Sequence, residues 1–179
     1  MIRAFVAIGM PPEILPRLDA LADSLPMPRR VPEENMHLTL AFLGETPNPV
    51  LEEAHLAFEA LRAPAFDLEL SGVNSFGGTK PRLVYAGVAP NPALMALQKK
   101  VTNAARLAGC TVESRRFTPH VTLGRFSPEA ADLGRLQAAM VRAATFSAGP
   151  ARINEFTLYQ SHLTADGPIY EPLASYPLR

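Results

Sequence analysis

The chain has 179 residues, of which 47% are hydrophobic, with 17 basic and 17 acidic side chains and no formal net charge. That length suits one domain or two tightly fused lobes, and the apolar content supplies a core and excludes a disordered segment. A neutral chain cannot hold nucleic acid by a global field, so any such partner must meet a local basic patch.

The first run, RAFVAI at 3–8, reads as a strand and lacks the charged, apolar and small-residue plan of a signal peptide. Helical spacing comes next over 11–25, with Pro16 early enough to be tolerated. HLTLAFL, 37–43, alternates as a strand. Leu51, Ala54, Phe58 and Leu61 form an apolar stripe over a helix at 49–62, with Asn48 as its cap and Pro49 in its first turn. FDLELSGV (66–73) and RLVYAGV (82–88) are strands. Leu94, Leu97, Val101 and Ala105 mark a helix at 92–108 entered by Asn91-Pro92. HVTLGRF (120–126) is a strand, Ser127-Pro128 opens a helix over 128–143, and RINEFTLYQS (152–161) is a strand. A last short strand lies near 168–178. No apolar run is long enough to cross a membrane, so a soluble cytoplasmic protein is expected. The single cysteine, Cys110, makes neither an internal disulfide nor a cysteine zinc site.

The two halves resemble each other. RAFVAIGMPP from Arg3 parallels RLVYAGVAPNP from Arg82, a shift of 79; HLTLAF from His37 parallels HVTLGRF from His120, a shift of 83; GVNSF from Gly72 parallels RINEF from Arg152, a shift of 80. The near-constant shift implies a duplicated unit. No Gly-x-Gly-x-x-Gly comes after the first strand, which removes the dinucleotide-binding reading. The expected fold is α+β. It is a single bilobal domain over 1–179, with repeats at 1–78 and 79–161 and a C-terminal strand at 168–178. Each lobe is a small, mainly antiparallel sheet covered by helices, with a cleft between the two.

The repeated phrase is His37-x-Thr39-Leu40 and His120-x-Thr122-Leu123. Alternation puts His37 with Thr39, and His120 with Thr122, on one strand face, and the apolar neighbours on the other. A lone histidine in a strand is usually a core residue with a satisfied ring. Its recurrence with threonine at the same offset argues for a site. Zinc is the rival reading, but each strand offers one ligand and nothing nearby completes a set of three or four, so no metal and no cofactor is expected. Two imidazoles and two hydroxyls suit the opening of a cyclic phosphodiester. One imidazole takes a proton from the attacking oxygen, the other gives one to the leaving oxygen, and the hydroxyls steady the phosphoryl oxygens.

With RAFVAI, HLTLAFLGE, PRLVYAGV, FTPHVTLGR and LYQSHLTADGPIYEPLASYPL, the chain resembles the two-histidine phosphoesterases over nearly its whole length. Within them it is most similar to the RNA 2′,3′-cyclic phosphodiesterases once called 2′-5′ RNA ligases. The resemblance implies hydrolysis of RNA 2′,3′-cyclic phosphate ends to 2′-phosphates. It implies His37 as proton donor to the 3′-oxygen, His120 as proton acceptor that activates water, and Thr39 and Thr122 as phosphate ligands. It also implies that Phe42 stacks on the terminal base and that Arg125 contacts the phosphate. Tyr85 stands where relatives often have tryptophan, and His162 where arginine is common. Ligation through a 2′-5′ bond, by the reverse reaction, is the alternative activity; binding of cyclic-phosphate ends without turnover is a third reading. The expected partner is RNA, with no membrane and no obligatory protein partner, and the expected state is a monomer.

Phe42 falls on the core side of a regular strand with Leu38 and Leu40, so stacking requires a bend or bulge before it, and Arg125 needs the same after Gly124. His55 reads as a helix boundary residue and His162 as surface. Arg29-Arg30 and Arg115-Arg116 precede the two phrases, with Lys80 and Arg82 at the join of the halves. They are either a basic rim for an RNA end or ordinary solvated loops.

Overall fold

The protein, seen in a computed structural model, is described over residues 1–126 and 132–179. The described elements, in chain order, are β1 (Ile2–Gly9), α1 (Leu15–Asp23), β2 (Arg29–Arg30), a 3₁₀ turn (Glu33–Asn35), β3 (His37–Thr46), α2 (Asn48–Ala60), β4 (Phe66–Phe76), β5 (Leu83–Val88), α3 (Pro92–Leu107), β6 (His120–Arg125), α4 (Leu133–Arg142), β7 (Ser147–Ile153), β8 (Glu155–Thr164) and β9 (Gly167–Pro177). The architecture is α+β, as expected.

Sequence and structure differ mainly at element ends. Pro16 lies in the first turn of α1, where its missing N–H costs nothing. In α2, Pro47 rather than Asn48 holds the cap position, without a side-chain cap bond, and Pro49 enters the first turn. Asn91 caps α3, its side chain accepting from the Leu94 N–H at 3.0 Å. Asp132 caps α4 by accepting from the Arg135 N–H at 3.1 Å. The expected opening at Ser127-Pro128 lies outside the described residues. The run 152–161 is two strands, broken at Asn154. The first of them, β7, hides in the sequence because Gly149 and Pro150 interrupt it, which a sheet edge tolerates. Gly149 is required there: its φ is 96°, and a Cβ would come within 2.6 Å of the Leu68 carbonyl oxygen.

The strands form one sheet in the order β7-β4-β5-β6-β3-β1-β8-β9, with β2 pairing on β6. All the described pairings are antiparallel. The order makes two lobes. One is β4–β7, continuous in the chain; the other joins β1 and β3 to the final strands β8 and β9. The two meet at β3 and β6, whose described register is the single pair Leu38↔Val121. A second junction lies at the far corner. The chain passes from β7 to β8 through Asn154 alone, so the edge of one half-sheet is tied to the other half. There the Leu178 N–H donates to the Asn154 oxygen and the Arg179 N–H to the Ala63 oxygen, both at 2.7 Å.

The apolar stripes of α2 (Leu51, Ala54, Phe58) and α3 (Leu94, Leu97, Val101, Ala105) share a core with Val6, Ile8, Leu38, Leu68, Leu70, Val84 and Val121 of the sheet. Each fully buried leucine or valine there contributes about 2 kcal/mol. This packing holds one sheet face against the helices and leaves the other for the site.

Candidate active site

The two phrases fold alike. In β3, His37 to Phe42 run half-buried, buried, half-buried, buried, buried, exposed, and in β6, His120 to Arg125 repeat that pattern position for position. Leu38 and Val121 are fully buried on the helix side, which fixes His37, Thr39, His120 and Thr122 on the opposite face. With Leu38 opposite Val121, continuing the register sets His37 across from Thr122 and Thr39 across from His120. By that register the imidazoles take diagonal positions, which in a regular antiparallel pair lie about 7–8 Å apart.

Each imidazole is anchored in the same way. Nδ1 of His37 lies 2.7 Å from the Asn35 carbonyl oxygen, and Nδ1 of His120 lies 2.7 Å from the Thr118 carbonyl oxygen. A carbonyl only accepts, so Nδ1 carries the proton in both rings and Nε2 keeps a free lone pair when the ring is neutral. Burial lowers both pKa values below the usual histidine range, opposed in part by these backbone bonds. The positive charges of His120 and Arg125 press His37 further down, and Arg125 does the same to His120.

Aromatic rings wall both histidines. Phe5 lies 5.0 Å from His37, and Tyr170 meets its ring edge-on at 5.2 Å. On the other side Phe76 lies 5.0 Å and Tyr85 5.3 Å from His120, and these two rings stack at 4.4 Å. Phe5, Tyr170 and Phe76 escape the sequence reading. The signal for Phe5 is its alternation with Arg3 and Ala7. Tyr170 has no local signal, since 133 residues separate it from His37.

The bulges that Phe42 and Arg125 require are present. Against β1, Ala7 pairs with Thr39 but Val6 pairs with Ala41, so Leu40 is the extra residue. Against β5, Tyr85 pairs with Thr122 but Val84 pairs with Gly124, so Leu123 is the extra residue. The leucine after each threonine stays in the core, and the residues beyond it switch faces. Phe42 is 63% exposed, with its ring 6.2 Å from Phe5 on the cleft side. Arg125 is exposed and near enough to act on both imidazoles.

The remaining candidates lie elsewhere. His55 pairs through Nδ1 with the Tyr176 hydroxyl at 2.9 Å, beside Glu59. His162 pairs with Glu171 at 2.7 Å on the surface of the β8–β9 hairpin. Arg30 is engaged by Asp19 and Asp23, and Arg115 by Glu113, so neither is a free basic rim. Cys110 is buried, which raises its thiol pKa. Among the described residues no three His, Cys, Asp or Glu side chains cluster as metal ligands, and no helix is long and apolar enough to cross a membrane.

Comparison with known proteins identifies the family. Residues 10–165 match the 2′-5′ RNA ligase superfamily. An RNA 2′,3′-cyclic phosphodiesterase of Geobacillus stearothermophilus is 35% identical over 168 residues, 88% of this chain but 50% of that protein, so the chain spans half of that relative's length. The RNA 2′,3′-cyclic phosphodiesterase of Aeropyrum pernix is 34% identical over 164 residues, covering 88% of this chain and 92% of its own. The crystal structure of E. coli LigT complexed with 3′-AMP has a TM-score of 0.81 and 31% identity, over 99% of this chain and 98% of that one.

Proposed function

Because the chain belongs to the 2′-5′ RNA ligase superfamily, we propose that it opens RNA 2′,3′-cyclic phosphate ends to 2′-phosphates. The observation that carries this reading is the pair of imidazoles, each tethered through Nδ1 to a backbone carbonyl two residues earlier in the chain. Each ring then offers the same atom, Nε2, to a group held between them. In-line displacement at phosphorus needs one proton acceptor and one proton donor on opposite sides, and a diagonal pair supplies both.

In the proposed reaction His120 Nε2 takes a proton from water as its oxygen bonds to phosphorus. The bond from phosphorus to O3′ breaks, and protonated His37 gives its Nε2 proton to that oxygen. The proton count closes when the two imidazoles exchange their extra proton through solvent. Thr39 and Thr122 donate to the non-bridging oxygens, Arg125 offsets their charge, and Phe42 stacks on the terminal base. Bound phosphate brings a negative charge that favours the charged form of His37, against the pull of burial and Arg125. No metal enters the scheme. All these groups stand in one chain, so we take the working form to be a monomer, acting on RNA in the cytoplasm.

The stacked Phe76 and Tyr85 beside His120 favour a second reaction at the same site. A nucleoside resting there would place its 5′-hydroxyl where water attacks; His120 would take that hydroxyl's proton as its oxygen bonds to phosphorus, His37 would protonate the departing O3′, and the ends would be joined through a 2′-5′ bond.

The test is digestion of an oligonucleotide with a cyclic end, followed by chromatographic separation of the products against standards. A dominant 2′-phosphate is expected. A dominant 3′-phosphate would show that the donor and acceptor roles, or the orientation of the bound ribose, are reversed, and no opening would remove the activity altogether.

A further inference from the structure

If O3′ of the terminal ribose meets His37, the rest of the RNA leaves that ribose through its 5′-oxygen over the same lobe. The face it crosses carries a second polar group. Arg3, Phe5 and Ala7 lie on one face of β1, and the contact of Phe5 with His37 identifies it as the cleft face. On the next strand Tyr159 pairs with Phe5 and Gln160 with Ala4; continuing one step sets Arg3 opposite Ser161. Ser161 is paired with Tyr170 on β9. Arg3, Ser161 and Tyr170 therefore form a row across three neighbouring strands, one step outward from Phe5 and Tyr159. Strand spacing makes the row about 10 Å long.

The row consists of a guanidinium, a hydroxyl and a phenol, and among the described residues none of the three side chains has a hydrogen-bond or ion-pair partner. Arg3 is exposed and Ser161 half-buried. Glu45 faces Arg3 from β3 without pairing with it. Burial raises the Tyr170 pKa, and the charges of Arg125 and Arg3 hold that rise back, so both guanidinium groups act on the phenol. Tyr170 thus joins the row to the neighbourhood of His37, whose ring it meets edge-on at 5.2 Å. Leu163, two residues past Ser161 on the same face, is 70% exposed and offers apolar surface beyond it. Donors that have no protein partner, include a guanidinium and are continuous with the proposed phosphate site suit one more phosphate.

We propose that Arg3, Ser161 and Tyr170 bind the phosphodiester on the 5′ side of the terminal nucleotide, so that the site selects oligonucleotide ends over mononucleotide cyclic phosphates. The inference rests on the phosphodiesterase reading above. Its test compares kcat/KM for a nucleoside 2′,3′-cyclic monophosphate with that for a dinucleotide ending in the same cyclic nucleotide. The dinucleotide should be favoured by about tenfold or more, the worth of a charge-assisted hydrogen bond. Arg3→Gln should bring this ratio close to one, Arg3→Lys should restore part of it, and Tyr170→Phe should lower it by about threefold. A wild-type ratio near one, or an Arg3→Gln loss equal for the two substrates, would overturn the second subsite while leaving the phosphodiesterase standing. A wild-type protein that opens neither substrate would overturn both.

Discussion

The surroundings of His37 and His120 are alike in backbone and unlike in decoration. Each histidine comes after a carbonyl that fixes its tautomer, precedes a threonine, and lies ahead of a bulged leucine. Five residues on, the bulge turns out Phe42 in one lobe and Arg125 in the other. In the proposed reaction the shared part supplies proton transfer, which needs the same geometry on both sides. In the same proposal the unshared part gives one strand a ring for the terminal base and the other a guanidinium for the phosphate. The proposed reaction would thereby draw direction from a repeated fold, with Phe42 turned out from the His37 strand and Arg125 from the His120 strand.

Three sets of substitutions test that division, beginning with the shared part, where the effects are largest. His37→Ala and His120→Ala each remove one proton transfer, and each should lower kcat by about 10²–10⁴-fold with the circular dichroism unchanged. Near-normal turnover in either folded variant would end the two-histidine mechanism. Next, Thr39→Val and Thr122→Val keep the branched shape and remove a donor. A loss of roughly ten- to a thousandfold in each is the expected cost of a missing transition-state hydrogen bond. If the loss falls on one threonine alone, the two sides do not share the phosphate as the symmetry implies.

The third substitution addresses the unshared part. Arg125 holds the pKa of both imidazoles down. Catalysis needs one ring neutral and the other charged, so the pH–rate profile should be a bell whose limbs belong to the pair. Removing a positive charge makes each imidazolium easier to form. Arg125→Gln should therefore move both limbs to higher pH, by a fraction of a unit, alongside weaker substrate binding. Limbs that stay fixed would place Arg125 outside the field of the histidines.

The sequence made the site legible because period-two alternation is local. His37 and Thr39 could be assigned to one face, and Leu38 and Leu40 to the core, without knowing any partner strand. The cap of α3 was legible for the same reason, since Asn91 answers a backbone N–H three residues away. Features that depended on a distant partner were not legible. Whether Phe42 turns outward is set by where β3 slips against β1, and the same slip against β5 governs Arg125. Tyr170 reaches His37 because β9 lies beside β8, which lies beside β1. Nothing within its own segment announces that neighbour. The break at Asn154 was hidden because both flanking segments are strands, and their separate destinations are a matter of sheet order.

The corner at Asn154 bears on the order in which the protein is made. The lobe from β4 to β7 is one uninterrupted stretch and can close as soon as it leaves the ribosome. The other lobe has its first strands at the start of the chain and its last two at the end. During vectorial synthesis β1 waits for β8, and His37 waits for Tyr170, until β9 has emerged. His120 is thus seated early and His37 late. A chain cut short before β9 would present a folded half-site without its partner wall, and the proposed hydrolysis would wait for completion of the β8–β9 hairpin.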